Sequence, residues 1–280
     1  MKIGMILFDA YFQKKNTGSS RIRGHWIIKY LNKIKGVEAE PFIQGKDYDV
    51  LIFQKAYWKE MARAFKGIKI LDICDPDWLD GAEVVSIIKE MDAITVSTPA
   101  LKEVLEKVTI RPIYVIPDGE DFEILPPPKK HEGRAKMCVW FGYSHNMELL
   151  YPTFSKIRKM GLTLKVITDG NLNCGECAVK NVKWLSETVD HEIQEADFAL
   201  LPDSTKARFK YKSPNKTIHA WALGLPVAKN PIDMERFMDA EERQKEADLR
   251  YKEVRENNSV AKSADLLFNI IKECIQKKKQ

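Results

Sequence analysis

No stretch of this 280-residue chain approaches the roughly 18 uninterrupted apolar residues of a membrane-spanning helix. Cysteine is scarce and odd in number. Cys74, Cys138, Cys174, Cys177 and Cys274 are scattered without a disulfide framework, so reduced thiols are expected. Cys174 and Cys177 have the spacing of half a zinc site, but no second such pair and no paired histidines lie at a suitable distance. The expectation is a loop with two thiols and no metal. There is no internal repeat, and nothing of low complexity beyond a proline run and a lysine-rich end. The first residues, MKIGMILFDAYF, lack the longer apolar region and small-residue cleavage site of a signal peptide. They read as the first strand of a cytoplasmic protein, free or peripheral to the inner membrane face.

What is present is a soluble composition, 44% hydrophobic and 30% charged, with a formal net charge of +5. That charge suits an anionic small ligand or a polyanion. Short apolar runs alternate with helical patterns along most of the chain, the signature of α/β architecture with parallel sheets. Strands are expected at KIGMILF, 49–53, 68–73, 93–97 and 112–117, then, after a break, at 136–142, 162–168, 182–185, 197–202 and 226–230. The break is Pro126-Pro127-Pro128 and the polar residues after it, too stiff to lie in a sheet and so the expected linker. Two Rossmann-like, doubly wound lobes follow, over 1–128 and 129–240, facing a cleft. The remainder, 241–280, reads as helices packing back on the body, with Leu266, Leu267, Ile270, Ile271 and Ile275 at helical spacing.

KYKSPNKTIHAWALGLPVA, residues 210–228, carries helix punctuation. Ser213 suits the cap, Pro214 the first turn and Gly224 the left-handed position past the end. Lys206, Arg208, Lys210, Lys212 and Lys216 crowd the end where the helix dipole is already positive. A phosphate would make that tolerable, held by the amides of 214–216, the Ser213 and Asn215 side chains, and Lys212 or Lys216. By itself such a charge run is more often a solvated loop.

Ligands of open parallel sheets sit outside the carboxyl ends of the strands. Gly142-Tyr143-Ser144-His145-Asn146 follows the first strand of the second lobe, and Gly142 would let a phosphate or sugar approach closely. Asp169 and Trp184 stand at the ends of two further strands on that edge. In the first lobe, residues 16–23 bring Ser19, Ser20, Arg21 and Arg23 to a capped helix start facing the same cleft, although the spacing is not that of a nucleotide fingerprint. LDICDPDWLD, 71–80, clusters Asp72, Asp75 and Asp77 at a strand end, where turn chemistry competes with a general-base or metal role.

Taken in order, SSRIRGHWIIKYL, ILDICDPDW, ITVSTPALKEVL, VIPDGEDFE, FGYSHN and SPNKTIHAWALGLPVA resemble the retaining nucleotide-sugar glycosyltransferases of the GT-B fold, group 1. The resemblance runs over nearly the whole chain and implies a nucleoside diphosphate held mainly by the second lobe, an acceptor held mainly by the first, and a final helix crossing back. It implies no required cofactor beyond a nucleotide-diphosphate sugar as donor substrate, with lysines and helix amides stabilising the leaving diphosphate. The acceptor would be a glycan, a lipid-linked glycan or a small molecule. The chain also departs from the family. His219 stands where a Glu usually holds the donor ribose, FGYSHN replaces the usual Arg and Lys, and Cys74 takes the place of a sugar-contacting His beside a retained Asp75, the candidate catalytic residue. Two alternatives stay open: a non-catalytic GT-B nucleotide binder, and a transferase acting on modified nucleic-acid bases, which a pI near 8.7 would suit.

Overall fold

The computed structural model describes residues 1–12, 17–175, 177–204 and 206–280. Asn16, Glu176 and Thr205, which belong to loops singled out above, lie outside the described residues. The chain forms two compact units, one of Met1–Asp121, Lys206–Ser213 and Asn258–Gln280, the other of Phe122–Thr205 and Pro214–Asn257.

The first unit is built on a six-stranded parallel sheet. Its strands are β1 (Lys2–Ile6), β2 (Glu38–Pro41), β3 (Val50–Gln54), β4 (Ile68–Ile73), β5 (Ala93–Val96) and β6 (Ile113–Val115), in the order β2-β1-β3-β4-β5-β6. Every residue of β3 is buried, the mark of a central parallel strand covered on both faces. Ile3, Met5, Ile52 and Ile70 pack with the helices Trp26–Leu31 and Val260–Lys278 on one side. Leu51, Phe53, Leu71 and Val96 pack with Ile87 and Leu101 on the other. The last helix buries Leu267, Ile270 and Ile271, each of which stabilises by about 1.5–3 kcal/mol; Leu266 stays exposed.

The second unit has five parallel strands: β7 (Met137–Phe141), β8 (Thr163–Thr168), β9 (Ala178–Lys183), β10 (Phe198–Leu200) and β11 (Val227–Ala228). Their order is β11-β10-β7-β8-β9. Both orders are doubly wound, and both reverse direction beside the first strand of the unit, between β1 and β3 and between β7 and β10.

Two strands differ from expectation. β2 was not anticipated, and β9 starts four residues before the run expected at 182–185. Both are edge strands with polar faces, so their sequences carry little apolar signal. The division of the chain also differs from a boundary at 128. The proline run belongs to the second unit, where the Pro127 carbonyl accepts from Gln194 Nε2 at 2.8 Å and Lys129 N donates to Leu223 O at 3.0 Å. Of the helices after 240, Ala240–Asn257 belongs to the second unit and Val260–Lys278 to the first.

Candidate functional site

In the second unit the carboxyl ends of β7, β8 and β10 bring several expected residues together. Gly142 leaves β7 with φ +143°, and a Cβ there would stand 3.4 Å from Lys216 Nζ. Lys216 lies in the first turn of the helix Asn215–Ala222, its ammonium 5.1 Å from the centre of the Trp140 ring. Position 142 is therefore open in a way that only glycine permits, beside a cation and a helix N-terminus. Ser144 begins the 3-10 helix Ser144–Thr153, and its N–H donates to Asp169 Oδ1 at 2.7 Å. That bond from the Ser144 backbone holds the Asp169 carboxyl below its ordinary pKa. Thus the loops after β7 and β8 are tied to each other. Tyr143 is 52% exposed and stacks on His145, 5.8 Å between ring centres. Trp184, at the end of β9, packs against the core of this unit.

The helix punctuation is displaced by one residue. Pro214, with ψ 37°, is the cap, Asn215 opens the helix, and Ser213 Oγ makes no hydrogen bond. Ser213 is therefore one position too early to reach the first amides. At the other end Gly224 has φ +79°. Gly224 N donates to Trp221 O and Leu225 N to Ala220 O, the paired bonds of a Schellman turn. His219 does not face an open site with both nitrogens, because Nε2 lies 3.0 Å from Asp190 Oδ1 and the ring meets Phe141 edge-on.

The five cations before and within this helix are divided between the two units. Lys206–Ser213 belongs to the first unit and Lys216 to the second. Within the first unit Arg208 pairs with Asp80 at 2.8 Å, Lys210 lies over the Tyr211 ring, and Lys212 contributes to the field at Asp75. Tyr211 meets Trp78 edge-on and its carbonyl accepts from Thr98 Oγ1.

The edge of the first unit carries a cluster of which only the aspartates stand out in the sequence. Lys55, the residue after β3, has φ +51° and is the single non-glycine residue with positive φ among the described residues. Its Nζ is 2.6 Å from Asp75 Oδ2, 3.1 Å from Asp77 Oδ1 and 4.7 Å from the Phe8 ring centre. Tyr57 donates to Asp77 at 2.5 Å. Burial lowers the pKa of Lys55, but the neighbouring Asp75 and Asp77 carboxylates more than reverse this and keep it charged. Burial raises both aspartates. For Asp75, Lys55 with Lys212 and Arg208 outweighs it and the carboxyl stays low; for Asp77 burial wins. The environment thus drives two neighbouring carboxyls apart in acidity. Lys55 and Tyr57 were missed, although QKAY directly after the apolar run VLIF was a visible signal.

Two residues assigned to the acceptor side serve the fold instead. Arg23 is 7% exposed, with Nε and Nη2 on Asp72 at 2.8 and 2.6 Å and Nη1 on Asp118 and the Ile116 carbonyl, both at 2.8 Å. Ser20 is fully buried, donating to Gln54 Oε1 and accepting from Asp9 N. The cap of this segment is Thr17, not a serine. Arg23 lies in a π-helical turn, Arg21–His25, in which Ile22, Arg23 and Gly24 are buried. Ser19 and Arg21 remain partly exposed, with Arg21 5.7 Å from the Trp26 ring. Asp72 is spoken for by Arg23 and Thr95.

No family model matches the chain. No curated protein matches it in sequence. Its fold, however, is similar to solved glycosyltransferases. The lipopolysaccharide outer core galactosyltransferase WaaB, in its apo form, superposes with a TM-score of 0.59 at 13% identity, covering 99% of this chain and 100% of that one. A glycosyltransferase from Rickettsia africae gives 0.62 at 9% identity over 98% of both. TarM from S. aureus, solved with UDP and alpha-GlcNAc-glycerol, gives 0.60 at 11% identity, covering 79% of this chain but only 55% of TarM, so this chain spans about half the length of that neighbour. The architecture is the two-domain α/β fold of GT-B glycosyltransferases.

Proposed function

We propose that this chain is a glycosyltransferase that takes a nucleotide-diphosphate sugar on the second unit and transfers the sugar to a hydroxyl acceptor held by the first. The observation that carries the reading is Lys216 Nζ against the bare backbone of Gly142, at the point where the strand order of the second sheet reverses. A diphosphate there would meet the ammonium and the first amides of the helix Asn215–Ala222, which concentrate positive potential where charge develops as the leaving group departs. Ser144 and Asp169 would border the nucleotide, with exposed Tyr143 offering a ring for stacking.

In the first unit Asp75, kept ionised by Lys55 and with a side chain 29% exposed, is the group best suited to accept a hydrogen bond from the acceptor hydroxyl. Ser19 and Arg21 would border the acceptor. Retention of anomeric configuration follows from the resemblance. The bond from the anomeric carbon to the diphosphate breaks, the bond to the acceptor oxygen forms on the same face, and the leaving phosphate takes the proton. The nucleotide sugar acts as a substrate, and the charge of its diphosphate is met by Lys216 and helix amides.

The test is a melting-temperature screen of the full chain with UDP, GDP, CDP and dTDP and their sugars, since a ligand of the native state raises the transition by mass action. A rise with one nucleoside diphosphate, followed by release of that diphosphate from its sugar in the presence of an acceptor, supports transfer. A rise without turnover makes the chain a binder. No rise with any of them removes the donor assignment.

A further inference from the structure

The Sγ atoms of Cys174 and Cys177 lie 3.2 Å apart in the loop between β8 and β9. Both side chains are half-buried, whereas Cys74, Cys138 and Cys274 are at most 7% exposed. Burial pushes those three thiols up, Cys274 to about 11 and Cys74 and Cys138 well above the ordinary thiol value, which leaves them little thiolate with which to react. The fold itself brings the half-buried pair together. Asn181 on β9 accepts from Leu172 N at 2.8 Å and donates to Leu172 O at 3.0 Å, so the chain is clasped just before the two cysteines and returns along the sheet just after them. Glu176, between them, lies outside the described residues. Among the described residues no group of three or more His, Cys, Asp or Glu could hold a metal.

We propose that Cys174 and Cys177 form a reversible dithiol–disulfide site that exchanges with small disulfides of the glutathione type. One thiolate attacks a sulfur of the small disulfide and expels one of its thiolates, which takes up the proton that the cysteine lost. The second cysteine then attacks the protein sulfur of this mixed disulfide and expels the other half. The protein gives up two protons and two electrons, and the small disulfide becomes two thiols. Closing so short a loop removes little chain entropy from the unfolded state, so the bond adds little stability and is readily reduced again. Reversibility is what separates this site from a structural cross-link. The loop begins at Asp169, which is bonded to Ser144, so the bridge would form on the segment that leaves the candidate nucleotide edge.

The experiment measures neither nucleotide binding nor turnover and is therefore independent of the proposed activity. The full chain is equilibrated with excess oxidised glutathione, alkylated, and mapped by mass spectrometry. The expected result is loss of two hydrogens from the peptide or peptides containing positions 174 and 177, reversed by excess reduced glutathione, with Cys74, Cys138 and Cys274 alkylated only after unfolding. Cys177→Ser is expected to stop at a stable glutathione adduct on Cys174. The proposal is overturned if these two thiols react no faster than the buried three. It is equally overturned if both accumulate glutathione without bridging, or if stoichiometric zinc protects both from exchange.

Discussion

In the first unit the Lys55 ammonium lies 2.6 Å from the Asp75 carboxylate, at the ends of the adjacent parallel strands β3 and β4. The contact exists because the backbone at Lys55 enters the left-handed region, φ +51°, a conformation that costs a non-glycine residue of order 1 kcal/mol or more. The ion pair offsets that cost. Lys55→Met is expected to destabilise the protein by about 3 kcal/mol, because it leaves Asp75 and Asp77 without their shared cation. Lys55→Gly loses the same charge but relieves the backbone, so it is expected to be more stable than Lys55→Ala by roughly 1 kcal/mol. Urea unfolding of the three variants measures both differences.

Asp75 and Asp77 contribute to pH dependence with opposite signs. The folded pKa of Asp75 is depressed, so its stabilisation is present above the unfolded carboxylate value of about 3.9 and is lost as pH falls through the folded value. The folded pKa of Asp77 is raised, so Asp77 costs stability as pH rises from about 3.9 through its folded value. Asp75→Asn is expected to flatten the stability curve below about pH 4, and Asp77→Asn to flatten it just above that. Unfolding midpoints measured across this range for both variants check the signs. A steeper acid limb in Asp75→Asn contradicts the assignment.

Lys216→Ala is expected to weaken binding of the preferred nucleoside diphosphate by about 1.5–3 kcal/mol with the melting temperature of the free protein little changed. Gly142→Val should do the same by a different route, since its Cβ would fill the space beside Lys216 Nζ on a backbone at φ +143°. Isothermal titration of the full chain separates affinity from stability. Unaltered affinity in a folded Lys216→Ala protein would remove the diphosphate from this position.

His219→Glu is expected to destabilise, because the new carboxylate would face Asp190, now 3.0 Å from the imidazole. His219→Gln keeps a donor and should cost less. If His219→Glu is instead neutral and tightens nucleotide binding, the imidazole faces a ribose and its bond to Asp190 is secondary. Thermal melts with and without nucleotide distinguish the two results.

Arg23→Lys is expected to cost about 3 kcal/mol or more, since one ammonium cannot make the two-pronged bond to Asp72 and also reach Asp118 and the Ile116 carbonyl. A surface role in acceptor binding would predict near-wild-type stability. Chemical denaturation decides between them.

Much of the fold was legible because parallel strands covered on both faces, such as β3 and β5, are mostly apolar runs that announce themselves. β2 and β9 were not, because an edge strand owes its place to hydrogen bonding along a neighbour and needs no apolar run of its own. The candidate site divides in the same way. Gly142, Asp169 and Lys216 could be named from their positions after strands and at a helix start. Ser20 and Arg23 are likewise polar residues at a helix start, yet both are buried, on Gln54 and on Asp72.

The sequence by itself determined the α/β class, the two lobes, most of the strands and the helix stop at Gly224, because each depends on interactions within a few residues: apolar burial, turn chemistry, a left-handed glycine. Only the tertiary structure decided that Lys55 joins Asp75 to Asp77 and that His219 meets Asp190. These pairings join residues 20 or more positions apart. They depend on strand order and crossover, which bring distant strand ends to one edge, and a local reading of the chain carries no information about which ends will meet.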